Sequence, residues 1–449
     1  MAPPSAITPP PTDTNVNTTS GLTKQSSAYV ELWQEKVRGG FAPFPVVFEK
    51  AHNHMLTDVD GKEYIDLISQ FAVTNFGHSH PKIVQAVVEQ VQKLPLVNTA
   101  YINPLYARFA DRITKKFGFD SITTMLSGSE AVESAIKIAR KWAYVKKGIP
   151  ADEAWVLTTD RCYHGITLAT MSLSNVIADN FGEHIPHVGP FSPSTQKLIE
   201  YGELDVLRET FEQDGHRIAA FMIEPIQGLS GTRIPPSGYL HAVQSLCHAH
   251  NILFICDEVQ TGFGRTGTDL AYQSEPGVQP DLVTLGKAVT GGMYPLSVVM
   301  GKAHAMDVLD KYEVAGTFAA APPACAAALA VLDVLEEEGI AERAQRLGEV
   351  LTKTIDGLAP PYVVEHRGRG RGLFQTLVLD ESVPGVTARR VAALAALRGV
   401  LVGNGADRLR FSPPLTIPEE DLVRAVGVVV QAIRDVEGLG EFPGSELLN

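Results

Sequence analysis

The stretch DLVTLGKAVTGGMYPLS, residues 281–297, decides how the rest of the chain reads. An apolar run, Leu282 to Leu285, ends in Gly286 and Lys287, and a small-residue loop with Gly291 and Gly292 follows. Lysine is rarely buried without a partner. At the end of an apolar strand it either snorkels to water or is held as a desolvated or chemically occupied amine.

Two other strand ends choose between these. In NILFICDEVQTGFGRTG, residues 251–267, the run Ile252 to Cys256 reads as a strand buried on both faces and stops at Asp257, Glu258 and Gln260. In AAFMIEPIQGLSG, residues 219–231, a similar run stops at Glu224 and Pro225. Helix-length segments separate the three, which predicts an open parallel α/β sheet that binds its ligand outside the carboxyl ends of the strands. An aspartate and a lysine at that edge suit pyridoxal 5'-phosphate. The lysine makes the Schiff base, and the carboxylate keeps the pyridine nitrogen protonated. A structural ion pair is the alternative.

A phosphate partner comes from TTMLSGSEAVESAIKIARKWAYV, residues 123–145. Ser127-Gly128-Ser129 precedes a helix whose apolar positions Val132, Ala135, Ile136, Ala139 and Trp142 keep three- and four-residue spacing. Gly128 and Ser129 would offer free N–H groups at the positive end of that helix, although plain serine N-capping accounts for the same residues. In RCYHGITLATMS, Tyr163 and His164 are placed for an aromatic to lie over the cofactor ring, with a core tyrosine as the alternative.

The chain has 449 residues, 45% hydrophobic and 20% charged, which suggests two domains and a tail. A net charge of −13 argues against a nucleic-acid or membrane-surface partner. The four scattered cysteines, with no CxxC pair, argue for a reducing compartment, with the cytoplasm as the default. No run of about 18 apolar residues suggests a membrane span. Residues 1–27, rich in Pro, Thr and Ser, read as a disordered tail.

Residues 28–85 read as an irregular N-terminal segment with strand-like runs around the turn Val59-Asp60-Gly61. His52, His54, His78 and His80 have metal-like spacing but no acidic or cysteine companions nearby in sequence, so no metal is expected. Pro81 suits the first turn of a helix through VQAVVEQVQKL. Residues 86–328 read as the large cofactor-binding domain, ending in an alanine-rich helix after Gly316-Thr317. From 329 to 449 the pattern predicts a smaller α+β domain with strands in LFQTLVL, GVLVG and DRLRFSPPLTI. HRGRGRGL, residues 366–373, reads as a tight turn into the first of these. Arg410 alternates with Leu409 and Phe411 before Pro413-Pro414, and an arginine pinned there suits a bidentate grip on a carboxylate.

GHSHPKI, EPIQG, LFICDEVQTGFGRTG, LGKAVTGGMYPLS and RFSPPL, in this order, resemble the class III (ornithine/4-aminobutyrate-type) aminotransferases, above all the ornithine-acting members. The likeness runs from about residue 30 to 435. It implies an α/β chain of PLP fold type I, the aspartate-aminotransferase-like architecture, with a mostly parallel sheet in the large domain and a smaller α+β C-terminal domain. It also implies a homodimer with shared active sites. By resemblance, Lys287 is the Schiff-base lysine and the base of the proton shift. Asp257 pairs with the pyridine nitrogen, and Gln260 approaches the ring hydroxyl. Gly128 and Ser129 hold the phosphate, completed by Thr317 of the partner subunit. Tyr163 stacks on one ring face and Val259 on the other, Glu224 supports the site, and Arg410 takes an α-carboxylate.

Around the substrate the sequence departs from that pattern. Two tyrosines, an arginine and a glutamate of the ornithine enzymes fall on Phe71, Ile102, Ile166 and Leu229. The arginine that grips a substrate carboxylate in the 4-aminobutyrate enzymes also falls on Ile166. The glutamate that masks the matching arginine falls on Leu229, which cannot mask Arg410. A buried charged substrate end would lack partners. The expectation is therefore transamination between an apolar amine or amino acid and a keto acid such as 2-oxoglutarate or pyruvate. The alternatives are an amino-acid racemase or epimerase of the same family, a true ornithine or 4-aminobutyrate aminotransferase, and an interaction protein that has kept the fold.

Overall fold

The computed structural model describes residues 24–40, 44–174, 181–182 and 184–442. Most of the expected tail lies outside them, while its last four residues open the helix Lys24–Lys36. The first strands, β1 (Phe48–His52), β2 (Met55–Asp58) and β3 (Glu63–Leu67), form an antiparallel meander. Gly61, at φ 86°, makes the turn between β2 and β3.

The middle of the chain builds the large sheet. Its strands are β4 (Ser121–Met125), β5 (Trp155–Leu157), β6 (Val188–Gly189), β7 (Ile218–Ile223), β8 (Leu253–Asp257), β9 (Leu282–Leu285) and β10 (Ser297–Gly301). They lie in the order β4-β10-β9-β8-β7-β5-β6. From β6 to β9 every neighbouring pair is parallel, and β10 alone runs against its neighbours. Every residue of β7, β8 and β9 is buried, as strands covered on both faces must be. Because these three are parallel neighbours, Glu224, Asp257 and Lys287 leave the sheet at one edge.

The helix Gly128–Trp142 lies across this sheet and contacts β4, β5 and β7 to β10. Its start is specified locally. Ser127 Oγ accepts from the Glu130 N–H at 3.2 Å, and Glu130 Oε2 accepts from the Ser127 N–H at 2.7 Å, a reciprocal capping box. Pro81 opens the helix Pro81–Lys93, which packs against the alanine-rich helix Pro322–Glu337.

The last strands are β11 (Val363–Arg367), β12 (Gln375–Leu379), β13 (Val400–Gly405) and β14 (Arg408–Phe411). Gly368, Gly370 and Gly372 all take positive φ in the turn from β11 to β12, as the arginine-glycine stretch suggested. These strands do not close on themselves. The second sheet runs β1-β2-β3-β13-β14-β12-β11, with β3 and β13 parallel, so the N-terminal segment is hydrogen-bonded into the C-terminal layer. The architecture is α/β, a mostly parallel large sheet with a smaller α+β C-terminal layer, and one apolar core runs through both.

Candidate active site

The carboxyl edge of β7, β8 and β9 opens on a cavity of about 170 Å³. Gly128, Ser129, Tyr163, His164, Glu224, Asp257, Val259, Gln260 and Lys287 all line it.

Asp257 ends β8 and is buried. Its Oδ1 accepts from the Thr284 hydroxyl at 2.9 Å and from the Val259 N–H at 3.0 Å. Thr284 is its register partner on β9, so the sheet itself aims the carboxylate. Its Oδ2 lies 2.7 Å from His164 Nδ1, whose other ring nitrogen is 3.2 Å from the Thr158 hydroxyl. Burial alone would lower the His164 imidazole, but Cys162 and Asp257 beside it hold it well above 6.5. That contact ties the imidazole directly to the Asp257 carboxylate. His164 thus lines the cavity while holding the Asp257 carboxylate through its ring nitrogen.

Lys287 leaves β9 through Gly286 and takes φ 43°, a left-handed conformation uncommon outside glycine. Burial pulls its ammonium down to about 8, with Asp257 and Glu224 opposing the shift and Arg410 adding to it. An amine so tuned is partly neutral near physiological pH. Glu224 is lifted to about 7 by burial, although its oxygens accept from the Tyr163 N–H at 2.8 Å and the Gly228 N–H at 3.0 Å. It ties two loops of the rim to the end of β7.

Glycines make the cradle. A Cβ on Gly128 would stand 2.7 Å from Val259 Cγ1, and one on Gly286 only 3.3 Å from the same atom. A Cβ on Gly165, which sits at φ 120°, would stand 2.2 Å from Ser129 Oγ. A Cβ is thus excluded at Gly128, where the helix begins, and the first turn's N–H groups, which have no intrahelical partner, lie at the lining Gly128 and Ser129. Pyridoxal 5'-phosphate fits this donor set: a helix amino end for its phosphate, a buried carboxyl group for its ring nitrogen and a lysine for its aldehyde carbon.

The Arg410 side chain, on β14, has no hydrogen-bond or ion-pair partner among the described residues, and its guanidinium lies over the Phe71 ring, 5.5 Å from the centroid. Burial, with Arg408 adding, lowers it to about 10. Gln260 donates to the Phe71 carbonyl at 3.3 Å. Ile166 follows the cavity-lining Gly165 and is 63% exposed. Leu229 follows Gly228, where a Cβ would stand 1.7 Å from Gln260 Oε1. Phe71, Ile166, Leu229 and Arg410 do not line this cavity, and two further candidates lie away from it within one chain. Thr317 is exposed, and Ile102, 94% exposed, belongs to a separate groove with Tyr101, Asn103 and Tyr106.

Arg265 was missed. It is fully buried and donates to the carbonyls of Leu373 at 3.0 Å and Pro413 at 2.7 Å, to Ser69 Oγ at 3.0 Å and to Asn75 Oδ1 at 2.5 Å. It cross-links the loop after β8 to both halves of the second sheet. Its Gly/Thr/Arg loop was visible in sequence, but nothing there marked the arginine as buried. The histidines also have acidic partners that the sequence hid: His54 meets Asp421 at 2.9 Å, His78 meets Asp66 at 2.8 Å and His80 meets Glu338 at 3.1 Å. Each has one carboxylate, and the described residues hold no group of three or more such side chains able to take a metal.

Residues 38–433 match the family model described as "Aminotransferase class-III". Among curated proteins, an ornithine aminotransferase of Emericella nidulans is 38% identical over 430 residues, 95% of this chain and 94% of that protein. Among solved structures, the ornithine aminotransferase of Toxoplasma gondii, described with partial occupancy of PLP at its active site, superposes with a TM-score of 0.86 at 34% identity, covering 92% of this chain and 95% of that one. An amine transaminase from an uncultivated Pseudomonas species, in its PLP-bound form, gives 0.79 at 27% identity over 89% of this chain and 99% of that one. These relatives are named as aminotransferases or transaminases, which does not favour the racemase alternative. With a family match over most of its length and an edge of the sheet built for the same cofactor, the chain belongs to the class III aminotransferases, enzymes that use pyridoxal 5'-phosphate.

Proposed function

We propose that this aminotransferase moves an amino group between an amine or amino acid with an apolar side and a keto acid such as 2-oxoglutarate or pyruvate. The observation that carries the reading is the Arg410 guanidinium, which meets only the Phe71 ring among the described residues; the resemblance adds that Ile166 and Leu229 stand at positions held by charged residues in the resembled enzymes. Arg410 takes the carboxylate of the acid partner, and the apolar positions reject a second charge.

When bound, pyridoxal phosphate supplies an aldehyde carbon to take up the substrate nitrogen and a ring that accepts the electrons released at the substrate carbon. Lys287 Nζ, held near pKa 8, takes and returns the proton there. Asp257, held by His164 at 2.7 Å, would pair with the ring nitrogen. Gly128 and Ser129 hold the phosphate, and Gln260 meets the ring hydroxyl. Tyr163 and Val259 enclose the two ring faces, and Glu224 holds the Tyr163 loop in place.

The working unit is a homodimer in which Thr317 of the partner subunit completes the phosphate site. Support comes from exposed Tyr29, Leu32, Tyr101, Ile102, Tyr312 and Phe318, more apolar surface than an isolated chain needs. The domain division is a large unit over 86–328 and a small unit over 329–449, with the N-terminal segment 28–85 joined to the small one. No described helix is long and apolar enough to cross a membrane. Four buried, unpaired cysteines support a reducing compartment, the cytoplasm.

Ornithine is the second reading, favoured by the name of the Emericella nidulans relative. Single-turnover absorbance of the loaded enzyme with ornithine, 4-aminobutyrate, glutamate, apolar amino acids and aliphatic amines separates the two. The fastest conversion of the cofactor to its amino form, reversed by a keto acid, is expected with an apolar donor; fastest conversion with ornithine refutes the reading. Ile166→Arg should raise kcat/KM for 4-aminobutyrate about 10-fold or more, the scale of one charge-assisted hydrogen bond. No gain would remove Ile166 from the pocket.

A further inference from the structure

Ser69, Gln70, Phe71 and Ala72 take φ of 45°, 52°, 61° and 69° in succession. L-residues avoid even one turn of this hand, and none of the four is glycine. The surroundings impose it. Asp66 Oδ1 accepts from the N–H groups of Ile68 at 2.7 Å and Ser69 at 2.9 Å, while its Oδ2 is held by His78 Nε2 at 2.8 Å. Ser69 Oγ donates to the Ser412 carbonyl at 2.6 Å and receives Arg265 Nη2 at 3.0 Å. Ser412 Oγ donates to the Ile68 carbonyl at 3.0 Å. The left-handed turn is thereby stitched to the chain two residues past Arg410, and its product is the Phe71 ring against that guanidinium.

A transaminase must accept two different partners in one pocket, in turn. On the reading proposed above, one has an apolar side and the other a carboxylate for Arg410. A bare guanidinium would oppose the first by desolvation without compensation. The carboxylate that masks this arginine in the resembled enzymes is absent, because Leu229 stands there. We propose that Phe71 is the cover of Arg410: its ring faces the guanidinium while an apolar amine occupies the pocket and gives way to the carboxylate of the keto-acid partner. An aromatic face suits this duty. It stabilises a cation without adding a charge, and its hold is weaker than a bidentate carboxylate grip, so the acid displaces it. Gln260 Nε2 donates to the Phe71 carbonyl at 3.3 Å and so helps hold the backbone of the turn while the ring exchanges with the acid. Phe71 is a positioning residue acting through Arg410.

The test measures the two half-reactions separately on the loaded enzyme, an apolar amine in one direction and 2-oxoglutarate or pyruvate in the other. Phe71→Leu keeps apolar bulk and removes the ring. It should lower kcat/KM for the amine about 3- to 30-fold, the range of a cation–π contact, and leave the keto-acid half-reaction unchanged or faster. Phe71→Tyr should behave as wild type. Pentafluorophenylalanine at 71 keeps the ring's outline and reverses its charge distribution, so it should reproduce the Leu result whether or not the Leu variant folds. Equal losses in both half-reactions, no loss in either, or a loss confined to the keto acid would overturn the proposal. If wild type converts an apolar amine and the split fails, Phe71 alone is misassigned; if wild type converts ornithine and no apolar amine, both readings fall.

Discussion

The lowered pKa of Lys287 makes a stability prediction independent of turnover. Its ammonium titrates at about 8 in the folded chain against 10.5 when solvated, because burial penalises the charge. Between those values the unfolded chain binds more protons at this group than the folded chain, so stability rises with pH across that window. Below about 8 the cofactor-free protein must hold the charged lysine in a dry site at full cost. The shift corresponds to about 3 kcal/mol at pH 7, falling to about 1.4 kcal/mol at pH 9.5. Lys287→Met removes the titration and keeps the length of the side chain.

Without cofactor, Lys287→Met should therefore be more stable than wild type by up to about 3 kcal/mol at pH 7, with less than half of that gain left at pH 9.5. Chemical denaturation at both pH values, at one protein concentration because subunit association shifts the midpoint, reads the difference directly. A variant no more stable than wild type at pH 7 would refute the reasoning. So would a gain independent of pH, which would assign the effect to packing.

Other perturbations separate the parts of the site. Gly165→Ala puts a methyl 2.2 Å from Ser129 Oγ at a left-handed φ, and should weaken binding of the phosphorylated cofactor about 10-fold or more by absorbance titration; unchanged affinity would dissociate Ser129 from the phosphate. Asp257→Asn should slow both half-reactions by about 10²–10³-fold, the scale of losing one preorganised partner of a reacting group. The same change should lower the His164 imidazole, since burial then meets less opposition while Cys162 still raises it. NMR of the ring carbons follows that titration, and an unchanged midpoint would show that Asp257 does not hold it.

The cofactor half of the site was legible because it rests on strand ends. Runs buried on both faces cannot hide their apolar character, and they stop where the chain turns to meet a ligand, at Glu224, Asp257 and Lys287. The rest was hidden by distance in sequence. His164 reaches Asp257 across 93 positions. The left-handed turn at Ser69–Ala72 has no glycine to announce it, since Asp66, Ser412 and Arg265 impose it from three places in the chain. Arg265 breaks the rule that arginine stays outside by spending its donors on four acceptors already committed to turns.

The same division explains how substrate choice can drift while the chemistry stays put. Lys287, Asp257 and Gly128 are bound into one packed sheet and its covering helix, where a change of register or volume disturbs the whole core. The proposed substrate contacts come from separate pieces. Phe71 belongs to the N-terminal segment, Ile166 and Leu229 to rim loops, and Arg410 to the far sheet. Ile166 and Leu229 are partly solvent-exposed, so replacing charge by an apolar group there costs the fold little. Arg410 is different. Burial, with Arg408 adding, lowers its guanidinium to about 10, and it remains charged at physiological pH beside the Phe71 ring. The group that faces this charge in the fold is the Phe71 ring, 5.5 Å from the guanidinium and delivered from the other half of the same sheet.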